Sequence, residues 1–445
     1  MNVVENSTFT QVDLYEQLLE TQPKILASTQ PDNAARQREL FLMGDIENPD
    51  HTHARLDEID ARDFDAVTQL GEALRVILKN DPKYRSVYDE FTETYSQKLH
   101  LLQLMAQYNA SQNESDKAAI REQYMQLNVE LYGAPDEATY RTLLAEKMEK
   151  IDAKNLSGRE KEMRDELHNL LPSLDVEEST ERFKPSQATI EWAHNVATTL
   201  YEGMVAHIPD QDKFTDEEIK SVFQEILAVE FGDSAAGWEV VITDDTRISV
   251  SAADKQIAVP KGVELTKKQL TLRTVHEIGV HVLRSITGED TTLLPLRLGL
   301  SEYYDAEEGT GMVMEQAWQG IFKEMGLKHY ITTGLVHFDK RDFRQAFEIN
   351  WRINTLMKSS AEGGISDEDI NKERDSAYTD TFRILRGTDE LPLFKDLAYY
   401  NGSIDIWKFL ESIRGDDFRF TLFMMGKVNT SQKHLRTILG AKPVV

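Results

Sequence analysis

From Val87 onward the apolar positions fall at three- and four-residue steps: Val87, Phe91, Tyr95, Leu99, Leu102 and Met105. That is one stripe of an amphipathic helix, with polar residues filling the intervening positions. Ile120, Tyr124, Leu127 and Leu131 repeat the pattern, and Gly133-Ala134-Pro135 ends it with a glycine C-cap followed by proline. Residues 1–180 thus read as long polar helices without a regular repeat, their stripes serving core packing rather than a partner groove. Near 170–187 the segment LPSLDVEESTERFKPS is acidic and poor in helix signals, and Pro185-Ser186 then opens a helix through Trp192 and Val196. We expect a helical N-terminal region, 1–180, and a second domain, 181–445.

In the second part the period changes. Thr215 and Glu218 form a capping box ahead of IKSVFQEILAVEF, which stops at Gly232. WEVVI (238–242), RISVS (247–251) and QIAVP (256–260) are short, β-rich and separated by turn residues, so they predict a small sheet. Thr266 and Gln269 make a second capping box and open another helix. From there to residue 439 the pattern is mostly helical, with glycine-rich breaks near 309–311, 363–364 and 401–402. The expected class is α+β, mostly α.

Composition narrows the chemistry. A chain of 445 residues has room for two or three domains with real cores, and 40% hydrophobic with 29% charged residues is a soluble, folded composition. A net charge of −27 argues against a general nucleic-acid or anionic-membrane surface, which needs clustered Lys and Arg. The absence of cysteine excludes disulfides and thiolate metal sites, so any ion must be held by His, Asp and Glu. MNVVENSTFTQVDLYEQLLETQ has neither the basic nor the apolar region of a signal peptide, and no apolar run approaches a membrane span. The expected compartment is the cytoplasm.

The helix opened by Thr266 carries Thr274-Val275-His276-Glu277-Ile278-Gly279-Val280-His281-Val282-Leu283-Arg284. A zinc-protease HExxH pattern sets two histidines four apart on one helix face, with the Glu activating water. Here the second histidine comes five residues after the first, giving HExxxH. On a regular α-helix that step leaves the side chains about 140° apart instead of about 40°, too divergent to share an ion. One extra residue in a π-type bulge restores convergence, and Gly279 inside the interval eases it. About thirty residues downstream, Asp305-Ala306-Glu307-Glu308-Gly309 begins another helix whose carboxylates can supply a third ligand. Glu307 and Glu308 point about 100° apart, so one of the two ligates. Two histidines, one Glu and water form the open coordination of a catalytic zinc ion (Zn2+).

Together, HEIGVH at 276–281 and EEGTG at 307–311 resemble the microtubule-associated tyrosine carboxypeptidase family, whose bacterial relatives carry a QEGLA motif. Its members show HEIGTH and an E/Q-E-G-L-A segment whose Glu is a zinc ligand. The resemblance implies His276, His281 and Glu308 as metal ligands and Glu277 as catalytic base. Asn48-Pro49-Asp50, Leu131-Tyr132-Gly133-Ala134-Pro135, Gly237-Trp238, Arg284 and Phe394-Lys395-Asp396-Leu397-Ala398-Tyr399 are similar to family landmarks in the same order. Val280 replaces the usual Thr and Thr310-Gly311 the usual Leu-Ala; neither change removes a ligand, and both touch the cleft wall.

The resemblance implies a zinc-dependent metallopeptidase that removes a C-terminal residue from a peptide or protein. Such an enzyme also needs a cation for the terminal carboxylate, and Arg284, Arg352, Arg386 and Lys395 are candidates. Tyr399 is a candidate hydrogen-bond donor to the oxyanion. Two other readings stand beside this one: a non-catalytic or regulatory binding protein on a peptidase fold, and a zinc hydrolase of small amides. An intact Glu277 argues against the first, because a retired site has no need of the base.

Overall fold

The computed structural model describes residues 31–50, 61–80, 82–171, 182–245, 247–291, 293–359 and 364–441. The N-terminal segment read for a signal peptide, most of the acidic stretch before Ser186, and Gly363 lie outside these residues. The N-terminal helices are α1 (Pro31–Met43), α2 (Ala61–Ile77), α3 (Pro82–Ala110), α4 (Glu114–Tyr132), α5 (Glu137–Asp152) and α6 (Gly158–Leu170). Gly133 ends α4 at φ 75°, a left-handed conformation that favours glycine. Ser186 caps α7 (Gln187–Ala206) by accepting a hydrogen bond from the Thr189 amide.

After the two-residue strand β1 (Lys213–Phe214), the Thr215–Glu218 capping box opens α8 (Asp216–Ile226). This helix widens into a π turn over Leu227–Phe231 and stops at Gly232. The β-rich runs form β2 (Glu239–Thr243), β3 (Ser249–Ser251) and β4 (Gln256–Pro260), in the order β2-β4-β3. β2 and β4 pair parallel, β3 and β4 antiparallel, and β5 (Leu265–Thr266) pairs antiparallel with β1. The Thr266–Gln269 capping box then starts α9 (Lys267–Arg273), which passes into a π-helical segment, Thr274–Val282, and on into α10 (Leu283–Glu289). Then follow α11 (Pro295–Leu298), α12 (Tyr304–Gln319), α13 (Leu327–His337), α14 (Phe343–Lys358), α15 (Asp367–Ile384), α16 (Ala398–Ser412), α17 (Asp417–Met424) and α18 (Gln432–Leu439). Among the described residues no helix is long and apolar enough to cross a membrane. The fold is α+β and mostly α.

Two hydrophobic cores hold it together, and neither stops at residue 180. Val67, Leu74, Tyr88, Phe91 and Leu99 of the N-terminal helices share one core with Val275, Ile278, Val280 and Val282 of the π segment, with Val313 and with Trp407. Leu101, Leu104, Tyr124, Leu144 and Leu167 share the other with Leu335, Phe347, Leu385, Phe394 and Leu397. The 29-residue α3, about 44 Å long, enters both. The N-terminal helices are therefore packed into the body that carries the HExxxH segment.

The glycines read as breaks at 309–311 and 401–402 lie inside α12 and α16. They are crossing points instead. A Cβ added at Gly309 would sit 2.3 Å from the Gly402 carbonyl, and one at Gly402 would sit 2.0 Å from the Asp305 carbonyl oxygen. The two backbones touch because neither residue has a side chain. Since the obstructing atoms are main chain, Gly402→Ala forces the helices apart. We expect it to cost on the order of 3 kcal/mol in urea unfolding, with loss of activity, because α12 lines the site. Wild-type stability in that variant would show that the crossing is loosely packed.

Candidate metal centre

The π segment solves the problem set by the five-residue step. Hydrogen bonding from i to i+5 places residues five apart above one another, and the His276 and His281 ring centroids lie 4.9 Å apart. Ligand atoms of His276, Glu277 and His281, all buried, lie within 4.8 Å of one another. Gly279 serves this segment in a way its spacing did not suggest. An alanine Cβ there would lie 2.6 Å from Cε1 of Tyr201, so the glycine admits the ring that backs the segment.

Each imidazole is held by its own carboxylate. Nδ1 of His276 bonds Glu315 Oε1 at 2.8 Å, and Nδ1 of His281 bonds Glu307 Oε1 at 2.9 Å. With both Nδ1 atoms engaged, the Nε2 atoms are the ones left for an ion, the usual support of a metal-binding histidine. Burial opposes charge on His276, but the Glu315 hydrogen bond and the charges of Glu277 and Glu315 push its pKa up to about 9. Gly311 completes the cradle: a Cβ at that position would sit 2.6 Å from His276 Nε2. Room beside the free nitrogen and an N/O donor set together fit a divalent ion such as zinc.

Glu307 is committed elsewhere. It is buried, and besides His281 it takes Arg284 through Oε2 at 2.6 Å and Lys427 through Oε1 at 2.9 Å. Burial alone would raise its pKa; the charges of Lys427 and Arg284 and the His281 bond hold it well below the usual carboxylate range. Glu308 lies outside the group of three that converge. It belongs to the α12 row 304, 308, 311, 315, whose later members meet His276 through Gly311 and Glu315. Its charge acts on Tyr304, Tyr399 and Lys395.

The expected substrate cations separate. Arg284 is fully buried behind His281; beyond Glu307 it donates to the carbonyls of Gly426, Phe423 and Val428, and its guanidinium covers the Phe423 ring. These bonds fix the 423–428 segment to α10 and leave Arg284 no face for a substrate. Arg352 pairs with Glu166 at 2.7 Å and with Glu348. Lys395 stands 4.7 Å over the Tyr304 ring, within reach of the charges of Arg386 and Glu308. The Tyr399 hydroxyl accepts from Arg383, which is locked to Asp396 through two bonds of 2.5 and 2.6 Å.

Sequence reasoning missed Arg273, 3.5 Å from Glu277 and 3.6 Å from Glu315. Its position four residues before Glu277 was a legible signal. Glu315 was also missed; only its place seven residues after Glu308 could have marked it.

A mostly helical fold with a buried His-Glu-His group on a π-distorted helix is an arrangement suited to metal-assisted hydrolysis. The chain matches the microtubule-associated tyrosine carboxypeptidase family over residues 177–324 and 365–441, about half its length, and belongs to that family. This makes it a carboxypeptidase-like peptidase. No curated protein and no solved structure matches the chain.

The ion pairs of Glu307 generate a stability prediction. Glu307→Gln keeps the shape but leaves Arg284 and Lys427 buried against a neutral amide. Loss of a partner from a buried charge cluster costs roughly 3–5 kcal/mol. Urea unfolding is expected to show that loss, and a change below about 1 kcal/mol would mean that the cations find other partners.

Proposed function

We propose that this protein is a zinc-dependent carboxypeptidase that removes the last residue of a peptide or protein chain. The observation that carries the reading is the pair of imidazoles, each fixed at Nδ1 by its own carboxylate, with Glu277 between them in sequence and beside them in space. His276 and His281 would hold the ion through Nε2, and Glu308, one turn before Gly311 on the same α12 row, is the third ligand. When bound, the ion supplies Lewis acidity that polarises the scissile carbonyl and makes water easier to deprotonate.

The chain's own groups carry the protons. Glu277 takes a proton from water as the water oxygen bonds to the carbonyl carbon. It then returns that proton to the amide nitrogen as the C–N bond breaks, releasing an amine and a new carboxylate. Arg273, half-exposed and 3.5 Å from the buried Glu277 carboxylate, steadies it. Lys395 and Arg386 are the candidate cations for the substrate's terminal carboxylate, and Tyr399, held by Arg383, is the candidate donor to the oxyanion. The family's name points to tyrosine as the residue to try first.

Two measurements test this. Glu277→Gln is expected to lower kcat on a peptide ending in tyrosine by about 10²–10⁴-fold while zinc content by elemental analysis stays at the wild-type value. His276→Ala and His281→Ala are expected to lose zinc as well as activity. If Glu277→Gln keeps both its zinc and its full rate, the general-base assignment fails. If the wild-type protein binds zinc and cleaves no peptide from a C-terminal library, a binding role replaces the enzymatic one.

A further inference from the structure

The N-terminal helices carry a feature that packing does not explain. On α3, Tyr95 and Lys98 stand three residues apart on one face. The Tyr95 hydroxyl is buried and, among the described residues, has no hydrogen-bond partner. Lys98 Nζ lies 5.9 Å from the centre of the Tyr303 ring, with no carboxylate paired to it among the described residues. Tyr303 also acts on the Tyr95 phenol, so both α3 groups face the start of α12.

That is where the second lysine stands. Lys395 Nζ sits 4.7 Å over the ring of Tyr304, and the Tyr303 and Tyr304 rings are 6.4 Å apart. Lys395 feels the positive charges of Arg386 and Lys98 and the negative charge of Glu308. Lys98, Lys395 and Arg386 thus gather in one basin at the N-terminal end of α12, one turn from Glu308. Both lysines are partly accessible, yet burial pulls each ammonium down to about 8. Groups that are accessible and still deep line a cleft. Ammonium groups so placed, without protein counter-ions in contact, are costly until an anion joins them.

We propose that Lys98 is a substrate-binding residue that, with Lys395, receives the C-terminal carboxylate of a peptide whose last amide bond lies at His276, Glu277 and His281. The assignment rests on the carboxypeptidase reading of the site. It goes beyond it by making α3, which lies outside the residues matched to the family, part of the active cleft. The N-terminal helices then shape the choice of substrate as well as supporting the fold.

The test uses the full-length zinc-loaded protein carrying Glu277→Gln, so that bound peptide is not cleaved. A peptide ending in tyrosine is titrated by calorimetry as the free acid and as its C-terminal amide. The acid is expected to bind about tenfold or more tightly, the value of one charge-assisted contact. Adding Lys98→Met is expected to cut that preference by about threefold or more, Lys395 keeping the remainder, and Lys98→Arg to keep most of it. Methionine fills the lysine stem's space and removes a charge without a counter-ion, so the melting temperature should hold or rise; Lys98→Gln serves as a second neutral variant if it does not. A preference undiminished by Lys98→Met overturns the role of Lys98 and leaves the carboxypeptidase reading standing. Absence of any preference in the parent protein, whether both peptides bind or neither does, overturns that reading and this proposal with it.

Discussion

The Glu307 carboxylate is the point on which the arrangement depends. One side chain takes Arg284 and Lys427 as ion pairs and His281 as a hydrogen-bond partner, with no water-facing surface of consequence. The continuous π segment and α10, through His281 and Arg284, are tied there to the distant 423–428 stretch, through Lys427 and the carbonyls that Arg284 reaches. Buried charges are expensive alone and acceptable in a fully satisfied cluster. Glu307 satisfies both cations, and the same bond that balances them sets which nitrogen His281 presents. Stability of the fold and readiness of the site are thus one interaction.

Much of this was legible in the residues. The capping boxes at Thr215 and Thr266 named the starts of two helices correctly, because a reciprocal cap is a local pattern that needs no tertiary information. The π distortion followed from counting: two histidines five apart cannot meet on an α-helix, and here they meet. The glycines of α12 and α16 misled for the opposite reason. Locally a glycine weakens a helix; here each one answers a backbone on another helix, which no window of sequence contains. Arg284 misled similarly, since its spacing from His281 says which side of the helix it leaves and nothing of the carbonyls waiting there. Among the carboxylates, the divergence of Glu307 from Glu308 was readable, but the cations that claim Glu307, Arg284 upstream and Lys427 far downstream, could not be foreseen.

Among the described residues, each of the two cores draws on helices from both sides of residue 180. α3 is a shared beam: its first half belongs to the core that includes the π segment, its second half to the core that includes residues of α13 to α16. A stripe of apolar residues announces that a helix is covered but not by what. On the cleft side the same helix leaves Tyr95 and Lys98 facing α12, so one element supports both cores and reaches the chemistry.

The grip of Arg284 on the 423–428 carbonyls has a consequence in time. Val428 stands 144 positions after Arg284, so a chain still being synthesised holds both histidines and their carboxylates long before it holds the groups that anchor Arg284. At typical synthesis rates that interval lasts roughly 7–30 s. During it Glu307 has neither Lys427 nor an Arg284 anchored by its carbonyl acceptors. The nascent polypeptide therefore carries the buried His-Glu-His group before the last contacts that brace it, which arrive only when the final helices dock.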